Sequence, residues 1–517
     1  MISSTFAKRT GAALIAAASL ICWGTEATAQ GHPPTVRLSY AQLPQIPAPA
    51  DASSPLEFIL LDQLYAALTR VAPDASVIPD AAAGWDISTD GRTYTFHLRS
   101  GMKWTDGTAV TAGDYADAIK SYLRGSESGF ILLVIQGAFE YQSGAVNEVA
   151  GVKVVDGQTL AITLTSPAAF FPAVVAVPLP FRPPTTNGPT TNGPYRLVEA
   201  DTSHVLMARN DGFYGAASVA ITGILFLAQS PADALAAYRL GDVDIDYSAV
   251  AVLDAINADA SLKANLQLVA QPVTQAVLFN ERTAPMGHIS IRRAFSAAID
   301  RSTLAATVLG GTVTPAKSWI APGVFGHDDT VGLGFDPLFA QAQLADAGYP
   351  GGAGFPTVTL RIPVPPPTQP PTVSLREQIA NALIQDWRDV LGVTVQLEKI
   401  VGFRAFSESL TTNPSEDMAS GGWGADYLDG NNFENDAILG FFGPLFGIDD
   451  TQFTTFTLQA AVEQDPATRL QLYHMTERNL TEVKAHVMPL YYPSDVLLVK
   501  PYVNRRGLSV RDWSFLQ

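Results

Sequence analysis

The chain has 517 residues, 47% of them hydrophobic, too long for one core, so two or three globular domains are expected. Its formal charge of -17 argues against nucleic acid or an anionic membrane as partner, because both need basic patches. The single cysteine, Cys22, lies in an N-terminal leader; a chain cut beyond it has no disulfide framework, thiolate nucleophile or cysteine-ligated metal.

In that leader Lys8 and Arg9 precede the apolar run GAALIAAASLICW, and Ala27-Thr28-Ala29 stands before Gln30, the order of a secretory signal peptide. Cleavage after Ala29 is expected. Because Lys8, Arg9 and Glu26 together carry +1, the exported chain would stand at -18. Ile21 precedes Cys22 where a bacterial lipid-anchor signal puts a small residue, which argues against lipidation. The run is too short to span a bilayer comfortably, and no later stretch offers about 18 uninterrupted apolar residues.

Past a Pro- and Ala-rich entry, TVRLSY (35–40) reads as a strand and FILLDQLYAALTRV (58–71) carries apolar residues at helical spacing. Asp90-Gly91 and Asp106-Gly107 are turns, TYTFHL (93–98) alternates as a strand, and Thr111 with Asp114 predicts a capping box opening the helix AGDYADAIKSYL. This is a small α+β unit. The tandem TTNGP copies between 185 and 194 read as a loop at a domain boundary, since two pentapeptides bury no face.

Beyond that boundary YRLVEA, HVLMARN and ITGILFLA predict strands, PADALAAYRLG a helix ended by Gly241, and VDIDYS and TQAVLFN further strands. From 289, Ile291, Ala294, Phe295, Ala298 and Ile299 share one helix face, with Arg292 and Arg293 expected to point away. Asp336-Pro337 opens a helix that Gly348 ends, PVPPPTQPP (363–371) is a rigid loop, and Leu375 to Leu391 is amphipathic through Ile379, Leu383, Trp387 and Val390. VTVQLE follows as a strand. VMPLYYPSDVLLVKP (487–501) predicts a strand pair interrupted at Pro493, returning the chain to its first domain.

No catalytic signature appears: no G-x-S-x-G elbow, no H-E-x-x-H, no kinase set, and no paired spacing among the seven histidines, all of which follow the leader. GTVTPAKS (311–318) misses a phosphate-cradling loop by one residue, with Ala316 for the glycine and Pro315 lacking an N–H. DVDID (242–246) alternates acids as calcium loops do but lacks their glycine and closing glutamate, and reads as an exposed strand edge. Asp426, Asp429, Asn431, Asn432 and Asp436 form an oxygen-rich stretch whose spacing fits no known calcium loop closely.

Four segments in order, GWDISTDGRTYTFHLRSGMKWTDGTAVTAGDYADAI, IRRAFSAAIDR, GGWGADYLDGNNF and MPLYYPSDVLLVKP, resemble the hallmark segments of the family 5 extracellular solute-binding proteins, over roughly 55 to 510. The resemblance implies an α/β, two-lobed periplasmic binding protein fold of type II, in its three-domain peptide-binding subclass. Residues 30–65, 190–280 and 493–517 would form one domain, 66–189 a smaller one attached to it, and 281–492 the opposite lobe, with a hinge near Phe279 and Tyr491.

It also implies a function: a periplasmic, monomeric, non-enzymatic component of an ABC importer that carries a short peptide or other small solute to the permease, without cofactor, metal or nucleic acid. In peptide binders of this family the acid of the W-x-A-D-Y segment pairs with the ligand's α-amino group, and the matching residue is Asp426. Trp423 and Tyr427 would wall the cleft, while Gly422 and Gly424 would let the backbone meet an extended ligand. The chain departs from some oligopeptide binders at Ser420, where they carry an arginine for the ligand carboxylate, and no Lys or Arg occurs between Arg404 and Arg469. A non-peptide solute (oligosaccharide, opine-like compound or metal chelate) and a secreted hydrolase are the alternatives.

Overall fold

A computed structural model describes residues 35–503 apart from 178, 183–188, 367–372 and 413–415. The leader, the first TTNGP copy (185–189) except for Pro189, most of the Pro-rich loop and the C-terminal tail lie outside the described residues. Among those described, no helix is long and apolar enough to cross a membrane.

One mixed sheet of twelve strands runs through both halves of the molecule. Its long member is Val487–Val499, a single strand where the sequence predicts a pair broken at Pro493. The early half pairs antiparallel with Val273–Phe279 (Leu278↔Val487), the later half with Leu266–Ala270 (Ala270↔Ser494) and Ile245–Asp246. Pro493 falls where the partner changes, so its missing N–H breaks no continuous ladder, and its carbonyl accepts from Gln271 N–H at 2.8 Å. Val313–Pro315 pairs with this same strand (Val313↔Pro493), which gives GTVTPAKS a place in the sheet.

In the first half Thr35–Tyr40 lies parallel to Gly223–Ala228 and to Ile245–Asp246. Against the expected exposed edge, Asp244 and Asp246 of DVDID are fully buried, and Asp242 alone of its acids is exposed. Asp244 accepts from Arg37 N–H at 2.7 Å and Nε at 3.0 Å, and Tyr502 also donates to it. A sequence pattern of alternating acids carries no sign of that distant arginine.

The small unit forms as predicted, a four-stranded antiparallel sheet that includes Thr93–Leu98, with the helix Ala112–Gly125 opened by Thr111 donating its N–H to Asp114 at 2.7 Å. The expected helix over 58–71 is displaced. It spans Pro55–Leu64 behind a Ser54/Glu57 capping box, and Thr69–Val71 becomes a strand. The second TTNGP copy sets that end: Asn192 and Gly193 donate to Leu64 O at 3.2 and 2.8 Å, and Asn192 accepts from Ala66 N–H at 3.1 Å. A Cβ on Gly193 would sit 2.6 Å from the Leu64 carbonyl carbon, so only glycine permits this backbone approach.

In the second half, alternation along the strands separates two cores. Val277, Phe279 and Met418 face one, where Leu383 and Trp387 of the helix Leu375–Leu391 are buried; Ala276, Leu278 and Ala419 face the other. The helix beginning near 289 buries Ile291, Ala294 and Phe295 as expected, but Arg292, expected to point outward, is only 1% exposed. Its guanidinium donates to Met286 O at 2.7 Å and to Lys484 O at 3.0 Å, and meets Glu281 at 3.2 Å. A periodicity argument ranks residues by polarity and cannot see a ring of backbone carbonyls waiting for a cation.

Candidate ligand-binding cleft

In both halves the parallel strands end on a common edge. Thr35–Tyr40, Gly223–Ala228 and Ile245–Asp246 run together in one, and Val358–Val364, Val395–Val401 and Met418–Gly424 in the other. Crevices outside the carboxyl ends of such strands are where ligands bind in open α/β sheets. A cavity of about 800 Å3 opens there, walled by Tyr247 and Val496 from the first half and by Pro363, Val364, Arg376 and Phe403 from the second.

Met418–Gly424, the strand that leads into the aromatic-acid segment, pairs along its full length with Val273–Phe279 (Gly424↔Val273), but with Val358–Val364 only at Met418 and Ala419. From Ser420 onward its other edge carries no strand among the described residues, so it offers a backbone ladder to an extended guest. The glycines divide by role. A Cβ on Gly421 would meet Leu278 at 2.7 Å and one on Gly422 the Thr274 carbonyl at 2.5 Å, so the fold already requires both. Gly424 is exposed, and a Cβ there would only touch Val273 at 3.4 Å, which leaves it as the glycine whose space a ligand could use.

The polar side chains behind the strand converge on Asn432. Its Oδ1 accepts from Trp423 Nε1 and from Asp426 N–H, each at 3.0 Å. Its Nδ2 donates to the carboxylates of Asp426 and Asp436, each at 3.1 Å. One fully buried amide thus fixes the indole, the half-buried Asp426 and a second acid. Burial pushes the Asp436 carboxyl above its ordinary range; hydrogen bonds from Tyr427, Asn432 and Asn435 work the other way, and the charge of Asp426 adds to the rise. Two acids sharing one donor favour a cation as guest.

Tyr427, expected as a cleft wall, is 3% exposed in this conformation. Its ring stacks on Phe170 of the small unit with centroids 5.7 Å apart, and its hydroxyl donates to Asp436 at 2.7 Å and accepts from Asn431. Trp423 is half-buried against Phe441 and Phe442. The oxygen-rich stretch does not converge as a calcium loop does. Asp429 turns instead to Arg469 at 3.1 Å and Tyr473 at 2.7 Å, Asn431 donates its side chain to Tyr427, and Asn432 joins Asp426 to Asp436.

Beneath the segment lie two fully buried carboxyls, Glu434 and Glu477. Glu434 accepts from Thr457 and Thr476, Glu477 from Ser318 and from Trp319 N–H at 2.7 Å. Burial pushes Glu477 up to about 7, with the charge of Asp328 adding to the rise, and pushes Glu434 upward as well, with the charge of Glu477 adding there. The folded state therefore holds a proton on Glu477 that the unfolded chain releases near its ordinary value of about 4.3. The stability this gives is complete below that value and is lost as pH rises to about 7. Glu477→Gln is expected to flatten that slope in urea unfolding between pH 5 and 8; an unchanged slope would show that the carboxyl is ionised in the fold.

Residues 76–436 match the model of the bacterial extracellular solute-binding proteins, family 5. Among similar curated proteins, the dipeptide-binding protein DppE of Bacillus subtilis is 27% identical over 472 residues, covering 86% of this chain and 84% of DppE. The probable deoxycholate-binding periplasmic protein YgiS of Escherichia coli is 26% identical over 481 residues, covering 86% of this chain and 85% of YgiS. Among solved structures, the unliganded open form of the periplasmic murein tripeptide-binding protein MppA superposes with a TM-score of 0.80 at 23% identity, over 92% of this chain and 95% of that one.

Proposed function

From the premise that this chain belongs to family 5 of the bacterial extracellular solute-binding proteins, we propose that it captures a short peptide between its lobes by the free α-amino group and hands it to an ABC permease. The observation that carries this reading is Asp426: half-buried at the carboxyl end of Met418–Gly424, aligned by Asn432 and backed by the acid Asp436. An ammonium taken out of water needs a charge-assisted partner, and a second nearby carboxylate adds to the attraction. The ligand's backbone would run along Ser420–Gly424 as an added strand beside Trp423.

In the same reading the chain is exported and cut after Ala29, acts as a monomer, and performs no turnover. Its lobes divide as the sequence suggests, 30–65 with 190–280 and 493–517, 66–189, and 281–492, and they rock about Phe279 and Tyr491. Capture then shifts an open–closed equilibrium that the permease senses.

Calorimetry with trialanine and its N-acetyl derivative tests amine recognition. Loss of binding on acetylation supports it. Equal binding favours a non-peptide solute, and cleavage of the peptide on incubation would restore the hydrolase alternative.

A further inference from the structure

The cavity between the halves is not walled by Trp423, Asp426 or Tyr427. Its volume of about 800 Å3 suits a small organic guest. Val250, Leu309, Val313, Val364, Ile379 and Phe403 make most of its wall apolar. Phe403 is 69% exposed and Val250 54%, large apolar surfaces left to water inside a crevice, as binding surfaces are.

Among the described residues two charged side chains line this cavity, Asp495 on one wall and Arg376 on the other. Asp495 accepts from Gln271 Nε2 at 2.8 Å. Arg376 forms no ion pair among the described residues; its neighbour Glu377 is held by Lys399 at 3.0 Å. It also stands in the first turn of the helix Leu375–Leu391, where the positive end of a 17-residue dipole opposes a cation. Among the described residues the guanidinium has no anion, and the acid of that first turn, Glu377, is taken by Lys399. The charge is felt at Tyr491 on the cavity floor, where it works against the upward push of burial on that hydroxyl.

We propose that this cavity binds a carboxylate carried on an apolar body, with Arg376 holding the carboxylate and the apolar walls the body. This rests on the cleft being the ligand site, but not on amine recognition at Asp426. It supplies the anion anchor that the segment from 405 to 468, free of Lys and Arg, does not. The carboxylate can come from the C-terminal apolar residue of a peptide or from a free amphipathic acid. A planar guanidinium fits either in the same two-pronged way.

Calorimetry on the whole protein separates these. Wild type is expected to bind Ala-Ala-Leu about tenfold to a hundredfold tighter than its C-terminal amide, and tighter than Ala-Ala-Asp. Arg376→Gln is expected to erase the preference for acid over amide while leaving the response to N-acetylation intact. Decanoate binding that Arg376→Gln abolishes and Asp426→Asn spares would identify the source as a free acid. Equal affinity for acid and amide in wild type, or a preference that survives Arg376→Gln, overturns the proposal. Because Arg376 is exposed, its replacement leaves the fold intact, and failure of the amine reading shows separately as indifference to N-acetylation.

Discussion

Asp426→Asn is expected to weaken binding of a free-amine tripeptide by about 2–4 kcal/mol, roughly 30- to 1,000-fold, while the unfolding transition stays where it was. The amide keeps the size of the side chain and an oxygen for the Asn432 Nδ2 donor, which reaches the carboxylate at 3.1 Å, so the loop need not rearrange. What disappears is the charge that faces the ligand's ammonium, and a desolvated cation without a counter-charge is what costs affinity. The same change removes the negative charge that helps to raise the Asp436 carboxyl, so Asp436 should titrate lower in the variant. Undiminished affinity in calorimetry would show that the amine lies elsewhere.

Removing the buried cation of the second lobe is expected to be costly for stability. Arg292→Met should lower the unfolding free energy of that lobe by about 3–5 kcal/mol, read from urea transitions, with ligand affinity in the surviving folded fraction unchanged. Arg292 donates to the carbonyls of Met286, Lys484 and Ala485 and pairs with Glu281, which also meets His486. Methionine fills the space but leaves those carbonyls without their donor and Glu281 with His486 alone. Ala485 takes a positive φ of 47°, rare for a residue with a Cβ, immediately before the strand Val487–Val499 begins. Arg292 therefore fixes the entry of a strand shared by both halves. A variant as stable as wild type would mean that water or relaxation meets those carbonyls at little cost.

How much was legible follows from the range of the interactions involved. Local signals served well: the helix Leu375–Leu391 with its stop at Gly392, the Thr111/Asp114 box, and the cap Asp336 before the helix Pro337–Asp346 are all set by neighbours in sequence. Features made by distant chain were not legible. The helix Pro55–Leu64 ends because Asn192 and Gly193 reach its last carbonyl, and Asp244 is interior because Arg37 lies beside it. Arg292 was placed outside for the same reason.

For the site, the aromatic-acid segment was visible from its glycines, and its strand Met418–Gly424 runs parallel to Val358–Val364 toward the same edge. In sequence Asn432 is one oxygen among several; its part as the hub of Trp423, Asp426 and Asp436 needs the backbone to fold back on itself. Phe170, which covers Tyr427, comes from about 250 residues earlier and leaves no local trace. Arg376 reads in sequence as one more polar position on an amphipathic helix, and only the cavity beside it gives it significance.

Native mass spectrometry of the freshly purified chain tests amine recognition in a closing cleft most directly, because a binding protein that closes on its guest can carry it through purification. Wild type is expected to retain adducts whose fragments are short peptides with free amino termini, and Asp426→Asn to retain none. A retained solute with no peptide bonds, or peptide adducts equally abundant in Asp426→Asn, would contradict it.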